Sequence, residues 1–123
     1  RMPVTYAKMV STGRISLERF ADITSTNAAK ILGMYPQKGA IAVGSDADIV
    51  LFDPDANKKL TLDDLHADSD YSIWEGFQTT GYPVTTILRG KVIVENGQLL
   101  GSASDGRWLN RKVSPSVLAR PAC

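Results

Sequence analysis

Carboxylates are the residues of this sequence with the most evident capacity for chemistry. They form two dense groups: Asp46, Asp48 and Asp53, then Asp63 and Asp64. Neighbouring carboxylates can act as general acid and general base when their surroundings separate their pKa values. However, residues 45–48 read Ser-Asp-Ala-Asp, a composition typical of turns in which Asp side chains accept hydrogen bonds from nearby backbone. We therefore predict that these aspartates are structural.

Metal ligands are scarce. A catalytic zinc typically needs three protein ligands from histidine, cysteine or carboxylate. The chain contains one histidine, His66, and one cysteine, Cys123, at its last position. Because no His-x-His or His-Glu-x-x-His motif occurs, we interpret His66 as structural or exposed. The sequence therefore predicts no catalytic, cofactor-binding or metal-binding residue within this chain.

The serines and glycines also lack the partners that catalysis or phosphate binding requires. Ser72, Ser104 and Ser114 have no histidine or aspartate in a usable motif. The pair Lys38-Gly39 is not followed by Gly-Lys-Ser/Thr at the spacing of a phosphate-binding loop.

Aromatic and basic residues each leave two interpretations open. The aromatic set is Trp74, Phe77 and Tyr82. These rings could stack on a ligand, but we favour packing in a core or interface. The basic residues of the tail are Arg107, Arg111, Lys112 and Arg120. Their concentration in the tail favours an arm exposed to solvent. The alternative interpretation is an arm that contacts another subunit through Trp108 and Leu109.

Composition places the chain among ordinary globular proteins. Its 123 residues are 43% hydrophobic and 22% charged, which suits one domain. The formal charge of +1 provides no strong field for nucleic acid or an anionic membrane. The sequence shows no secretory signal and no run long enough to cross a membrane. With Cys123 unable to form an internal disulfide, we expect a reducing, cytoplasmic setting.

The first secondary-structure elements that the sequence predicts are three helices. The first covers residues 2–10, the second begins after an N-cap at Ser16, and the third is capped by Ser25 or Thr26 and ends at Gly33. Leu17, Phe20 and Ala21 have the i, i+3, i+4 spacing of one buried helix face.

Strands are predicted for most of the remainder. Residues 38–54 contain two apolar runs, 40–43 and 49–52, which we predict as strands buried on both faces and ended by Asp53-Pro54. Further predictions are a brief strand at 57–60, a capped helical turn at 61–64, an irregular segment at 69–80, a turn at 81–83, and a strand at 84–88. Bends at Arg89-Gly90 and Asn96-Gly97 then predict a three-strand meander ending at residues 99–100. Residues 113–123 are predicted to be an extended tail.

Several of these stretches resemble one enzyme family. Residues 15–20, 24–33 and 38–54 closely resemble the C-terminal part of the cyclic amidohydrolases. Residues 70–76 (Asp-Tyr-Ser-Ile-Trp-Glu-Gly) and 81–83 (Gly-Tyr-Pro) are similar to the D-hydantoinase and dihydropyrimidinase branch. The resemblance extends to about residue 113.

The resemblance implies an α/β fragment: terminal helices of a (β/α)₈ metal-dependent hydrolase barrel followed by part of a β-sandwich. It divides the chain into barrel helices at 1–37, a sandwich portion at 38–101 with an irregular insert at about 61–82, and the tail at 102–123. The family's binuclear zinc site uses histidines, a carboxylated lysine and an aspartate, which would precede Arg1. The remainder of the same polypeptide and a homo-oligomer are the implied partners.

The implied activity is the opening of cyclic amide rings, hydantoins or dihydropyrimidines, by the parent enzyme and not by this chain alone. Two alternatives remain open from the sequence. One alternative to this activity is a non-enzymatic scaffold related to dihydropyrimidinases, and the other is an enzyme of allantoinase or dihydroorotase type. A free-standing β-rich binding module is disfavoured because its meander would leave long strand edges unpaired.

Overall fold

A computed structural model describes residues 1–65 and 69–119, which form a helical layer packed on one four-stranded antiparallel sheet. The helices are α1 (Met2–Thr5), α2 (Leu17–Ala21), α3 (Asn27–Ile31) and α4 (Pro115–Leu118). The strands are β1 (Ile49–Lys59), β2 (Gln78–Leu88), β3 (Lys91–Glu95) and β4 (Gln98–Leu99), in the spatial order β1-β2-β3-β4.

The helical layer has two continuous helical segments where three were predicted. A π-helical turn, Tyr6–Val10, continues α1, and another, Asp22–Thr26, joins α2 to α3 without a break. The predicted cap at Ser16 is confirmed, because its hydroxyl accepts a hydrogen bond from the Arg19 amide at 3.2 Å. The predicted cap at Ser25 or Thr26 is wrong: Thr26 has helical backbone angles, and its hydroxyl donates to the Gly39 carbonyl at 2.8 Å instead.

The predicted meander is confirmed. Two-residue turns connect β2 to β3 and β3 to β4. In the first turn Arg89 and Gly90 have φ values of 47° and 83°, and in the second Asn96 and Gly97 have 49° and 81°. Two consecutive left-handed residues match the twist of the flanking strands, which is why glycine follows a tolerant residue in both turns.

Two predicted strand boundaries are wrong because proline is tolerated where strand pairing is irregular. β1 continues through Asp53-Pro54 to Lys59, and its register with β2 shifts between Asp53 and Asn57. The predicted turn at 81–83 lies inside β2, and part of the segment predicted to be irregular belongs to the same strand, which begins at Gln78. Pro83 lies beside a second register shift and outside the stretch of β2 that pairs with β3.

The apolar run 40–43 is a loop, contrary to prediction. Its flanking glycines, Gly39 and Gly44, have φ values of 78° and 91°, and the Ser45 amide bonds back to the Ala42 carbonyl at 3.0 Å. Ile41 and Val43 are 89% and 109% exposed. The prediction that the 49–52 strand is buried on both faces is also wrong for this chain, because Val50 and Leu51 remain exposed.

Three aromatic rings join the helical layer to the sheet. The ring centroid of Tyr6 lies 4.7 Å from that of Phe52 and 5.8 Å from that of Phe20. Tyr6 and Phe20 are buried. Gly81 lies directly beneath the Tyr6 ring, where a Cβ atom would stand 2.4 Å from Tyr6 Cδ1. The two layers approach this closely because β2 has no side chain at that position.

The tail departs from the predicted extended form. Pro115–Leu118 is one helical turn, in which Ser114 caps the N-terminus by accepting from the Ser116 amide at 3.3 Å. Residues 120–123 of the predicted tail lie outside the described residues. Within 1–65 and 69–119, no helix is both long and apolar enough to cross a lipid bilayer.

Candidate functional site

The densest group of charges lies where the loop before β1 meets the segment after β4. We call Lys38, Asp46, Asp48 and Arg107 the charge cluster. The ammonium of Lys38 lies 2.9 Å from the Asp46 carboxylate and also pairs with Asp48. Arg107 donates from Nη2 to both carboxylate oxygens of Asp46 at 3.2 Å. The Lys38 and Asp46 side chains are only 13% and 17% exposed, so their charges depend on each other for compensation.

A second set of polar contacts extends this cluster to the β2–β3 turn. Asp48 Oδ1 accepts a hydrogen bond from the Arg89 amide at 2.9 Å, and the Arg89 guanidinium donates to the carbonyl of Asp105. The Asp105 carboxylate pairs with Lys91 at 2.6 Å and accepts from the Ser102 amide at 2.7 Å. Through these contacts and those of the charge cluster, the carboxylates of Asp46, Asp48 and Asp105 link segments that are distant in the sequence.

The electrostatics agree with a structural role. The hydrogen bond from Lys38 lowers the pKa of Asp46 below its ordinary value of 3.8. The hydrogen bond from Lys91 does the same to the pKa of Asp105. A general acid at neutral pH would need the opposite shift, so neither group is suited to donate a proton.

The charge cluster predicts a specific pH dependence. Because the folded pKa of Asp46 is depressed, its contribution to stability is present above the unfolded pKa and is lost as pH falls through the folded value. We expect Asp46→Asn to lower the urea midpoint of the intact polypeptide at about pH 7, with the difference shrinking as the pH falls below the ordinary pKa of 3.8. The control is Asp55→Asn, since the Asp55 carboxylate has no ion pair among the described residues. An Asp46→Asn deficit that persists undiminished at acid pH would contradict the assignment.

The carboxylates of Asp53 and Asp64 make local hydrogen bonds. Asp53 Oδ1 accepts from the Asp55 amide at 2.9 Å. Asp64 Oδ2 accepts from both the amide and the hydroxyl of Thr61, at 3.1 and 2.8 Å, which confirms the predicted capped turn before the 3₁₀ helix Asp63–Leu65. The hydrogen bond from Lys58 lowers the pKa of Asp64. The Asp64 carboxylate thus holds the predicted turn, whereas the Asp53 carboxylate makes its local hydrogen bond within β1 and does not end the strand.

The serine and aromatic candidates have local partners. Ser72 accepts from the Trp74 amide at 3.1 Å, and Ser104 pairs with the Ser102 hydroxyl at 2.7 Å. Trp74 and Phe77 pack edge to face with centroids 5.7 Å apart. Tyr82 is covered instead by the Lys58 ammonium, 4.7 Å from its ring centroid. The three aromatic side chains are therefore divided between two packing contacts.

The described residues do not fit a metal site. Among them, no group of three or more His, Cys, Asp or Glu side chains is arranged to hold an ion. His66 and Cys123 lie outside the described residues. In the tail, Trp108 is 89% exposed and Leu109 is half-buried. Their proposed role in subunit contact stays a prediction.

An uncovered apolar groove lies between the helical layer and β1. Its volume is about 460 Å³, and its lining includes Phe20, Ala21, Ile41, Val50 and Phe52. Because the exposed Ile41 and Val50 belong to this lining, the groove opens onto the apolar surface that the sheet and the 40–43 loop leave without cover. Exposed apolar surface of this kind is typical of interaction sites.

Comparison with known proteins identifies the family of this chain. The profile described as the amidohydrolase family matches residues 1–93. This chain belongs to the amidohydrolase family. The match includes both helical segments and the charge-cluster loop, and it ends within β3.

Similar amidohydrolases are hydantoinases and dihydropyrimidinases. The D-hydantoinase of Ralstonia pickettii is 50% identical over 103 residues, which cover 84% of this chain and 22% of that protein. A solved D-hydantoinase is 48% identical with a TM-score of 0.88, over 92% of this chain and 24% of that one. The dihydropyrimidinase of Brevibacillus agri NCHU1002 is 45% identical with a TM-score of 0.89, over 98% and 25%. The chain thus spans about a quarter of the length of these relatives.

The amidohydrolase resemblance is visible in the sequence, but the charge cluster is not. The composition of residues 45–48 indicates a turn, and it gives no sign that Asp46 and Asp48 pair with Lys38. The available signal is a lysine near two aspartates in a glycine-flanked loop. The partner Arg107 is 61 positions from Asp46 and carries no local signal at all.

Proposed function

We propose that this chain is a structural segment of a hydrolase that opens cyclic amide rings, such as hydantoins or dihydropyrimidines. The observation that supports this most directly is the 50% identity to a D-hydantoinase together with a TM-score of 0.89 to a dihydropyrimidinase over almost the whole chain. Relatives this similar in sequence and backbone share their architecture, which supports giving the chain the same place in its parent as the matched segment has in them.

The proposed place is the C-terminal part of the enzyme. The helical layer would contribute the last helices of a (β/α)₈ barrel, and β1 to β4 would form part of a companion β-sandwich. The open apolar groove and the exposed Ile41, Val43 and Leu51 support this, because the remainder of the polypeptide would cover them. β1 is at an edge of the described sheet, where a further strand could pair with it.

Zinc is the cofactor that the family resemblance implies. Since the described residues offer no set of three ligands, we assign the zinc ligands to parts of the parent enzyme outside this chain. The side chains of this segment take no chemical step in the proposed reaction. Their proposed contribution is to stabilise the barrel against the sandwich.

The function is tested by ring opening in the intact polypeptide that contains this chain. We expect hydrolysis of hydantoin or dihydrouracil, measured by chromatography of the ring-opened product. Allantoin and dihydroorotate are the discriminating substrates: preferential turnover of either would place the parent in that enzyme class. The absence of turnover on all four, in folded protein supplied with zinc, would contradict the proposal and favour a non-enzymatic scaffold.

The 123-residue chain by itself is expected to have no ring-opening activity, even with added zinc. The physical reason is the lack of a set of metal ligands among the described residues. Activity of the purified segment on either hydantoin or dihydrouracil would overturn the assignment of catalysis to other parts of the enzyme.

A further inference from the structure

Residues 102–113, which we call the strap, leave β4 and return to the end of the helical layer. Polar contacts tie the strap to other described residues: Asp105 contacts Lys91 and Arg89, Arg107 contacts Asp46, and the Lys112 amide donates to the Gly33 carbonyl at 3.0 Å. It therefore links the sheet, the loop before β1 and the end of α3. These segments are far apart in the sequence.

Polar contacts hold the strap, with little burial. Trp108 is 89% exposed, and of the other apolar side chains Leu109 and Val113 are only half-buried. A segment with little buried apolar surface opens locally at low free-energy cost. Contacts between partly exposed charges are also weakened by added salt. The strap thus has the physical properties of an element that opens without unfolding of the sheet.

The contact at Asp46 connects the strap to the loop. Besides Arg107, the Asp46 carboxylate accepts from Gln37 Nε2 at 3.2 Å and pairs with Lys38, while the Asp46 amide bonds to the Gln37 carbonyl at 2.9 Å. The same carboxylate therefore holds both ends of the loop and the middle of the strap. Loss of Arg107 would leave Asp46 partly compensated and the loop less constrained.

We propose that the strap is an electrostatically held conformational element whose opening, triggered by loss of the Arg107–Asp46 pair, loosens the loop formed by residues 37–48. That loop carries the exposed Ile41 and Val43, so the strap controls how rigidly this apolar surface is presented. Strap opening depends on the chain's own contacts and is independent of the proposed reaction.

Hydrogen–deuterium exchange of the intact polypeptide, read on peptides covering residues 43–50 and 108–114, tests the proposal. We expect Arg107→Gln to accelerate exchange in both peptides by about two- to fivefold, the range of a partly exposed ion pair. The matched control is Arg111→Gln, which removes the same charge from the same strap at a side chain with no ion pair among the described residues. Raising the salt concentration should accelerate hydrogen exchange in the same two peptides of the unsubstituted polypeptide.

A second pair of variants opens the strap from its other end. In Gly33→Ala a Cβ would stand 2.6 Å from the Lys112 carbonyl carbon, whereas Gly13→Ala has the same backbone strain with no atom within 4 Å. Gly33→Ala should accelerate exchange in both peptides, and Gly13→Ala should not. The proposal is overturned if Arg107→Gln leaves the exchange rate of either peptide unchanged, or if salt has no effect on these rates. It is also overturned if exchange in peptides of β2 and β3 accelerates equally, which would indicate global unfolding.

Discussion

Gly81→Ala is expected to destabilise the fold strongly, by about 2–4 kcal/mol. Two costs combine. The φ of 89° is unfavourable for alanine, and the new Cβ would lie 2.4 Å from Tyr6 Cδ1 and 2.7 Å from Phe52 Cε1. Neither ring can withdraw easily, because Tyr6 is buried and packs against Phe20 as well as Phe52.

The matched control for this variant is Gly90→Ala. Gly90 has a φ of 83°, but no atom lies within 4 Å of the place that an alanine Cβ would take, so alanine there costs only the backbone term of about 1 kcal/mol. The measurement is the urea midpoint of the intact polypeptide carrying each variant. If Gly81→Ala is no more destabilising than Gly90→Ala, the contact between helical layer and sheet is not as close as described.

Gly39→Ala is expected to have a similarly large effect, again about 2–4 kcal/mol. Gly39 begins the 40–43 loop with a φ of 78°, and an added Cβ would stand 2.5 Å from the Cβ of Ala29. Ala29 is buried in α3, and the Gly39 carbonyl accepts a hydrogen bond from Thr26 at 2.8 Å. Because helix and loop touch directly, the added methyl must separate them and break that hydrogen bond.

Gly44→Ala, at the other end of the same loop, is the control for Gly39→Ala, because it has the cost of an unfavourable φ without the cost of a steric clash. Gly44 has a φ of 91° and open space around it. We expect its alanine variant to lower the urea midpoint by about a third as much as Gly39→Ala. Equal effects of the two variants would show that backbone strain alone explains them and that the contact with Ala29 is unimportant.

The local features of this fold are predictable from sequence because their causes are local. The bends at Arg89-Gly90 and Asn96-Gly97 follow from the need for left-handed residues, and the Ser16 cap follows from an unsatisfied helix terminus. The capped turn from Thr61 to Asp64 has the same kind of cause. In each case a few adjacent residues decide the outcome.

The sequence-based predictions are wrong where contacts with distant parts of the chain determine the local structure. Proline in β1 and β2 indicates a strand end by its local chemistry, but register shifts create places where a missing amide is tolerated. The apolar run 40–43 has the composition of a buried strand, but no neighbouring strand in the described chain pairs with it. The role of Asp46 depends on Arg107, whose approach requires the whole sheet and strap to be folded.

We propose that this chain supports a cyclic amide hydrolase without contributing a catalytic group. The most direct test of this claim is the turnover number of the intact polypeptide on its best cyclic amide substrate after single neutralisation of Asp48, Asp53 and Asp64. Removing a general acid or base typically lowers the rate by about 10²–10⁴-fold. We predict turnover within about tenfold of the parent for every variant that retains the native fold. A loss of a hundredfold or more in a natively folded variant would contradict the claim.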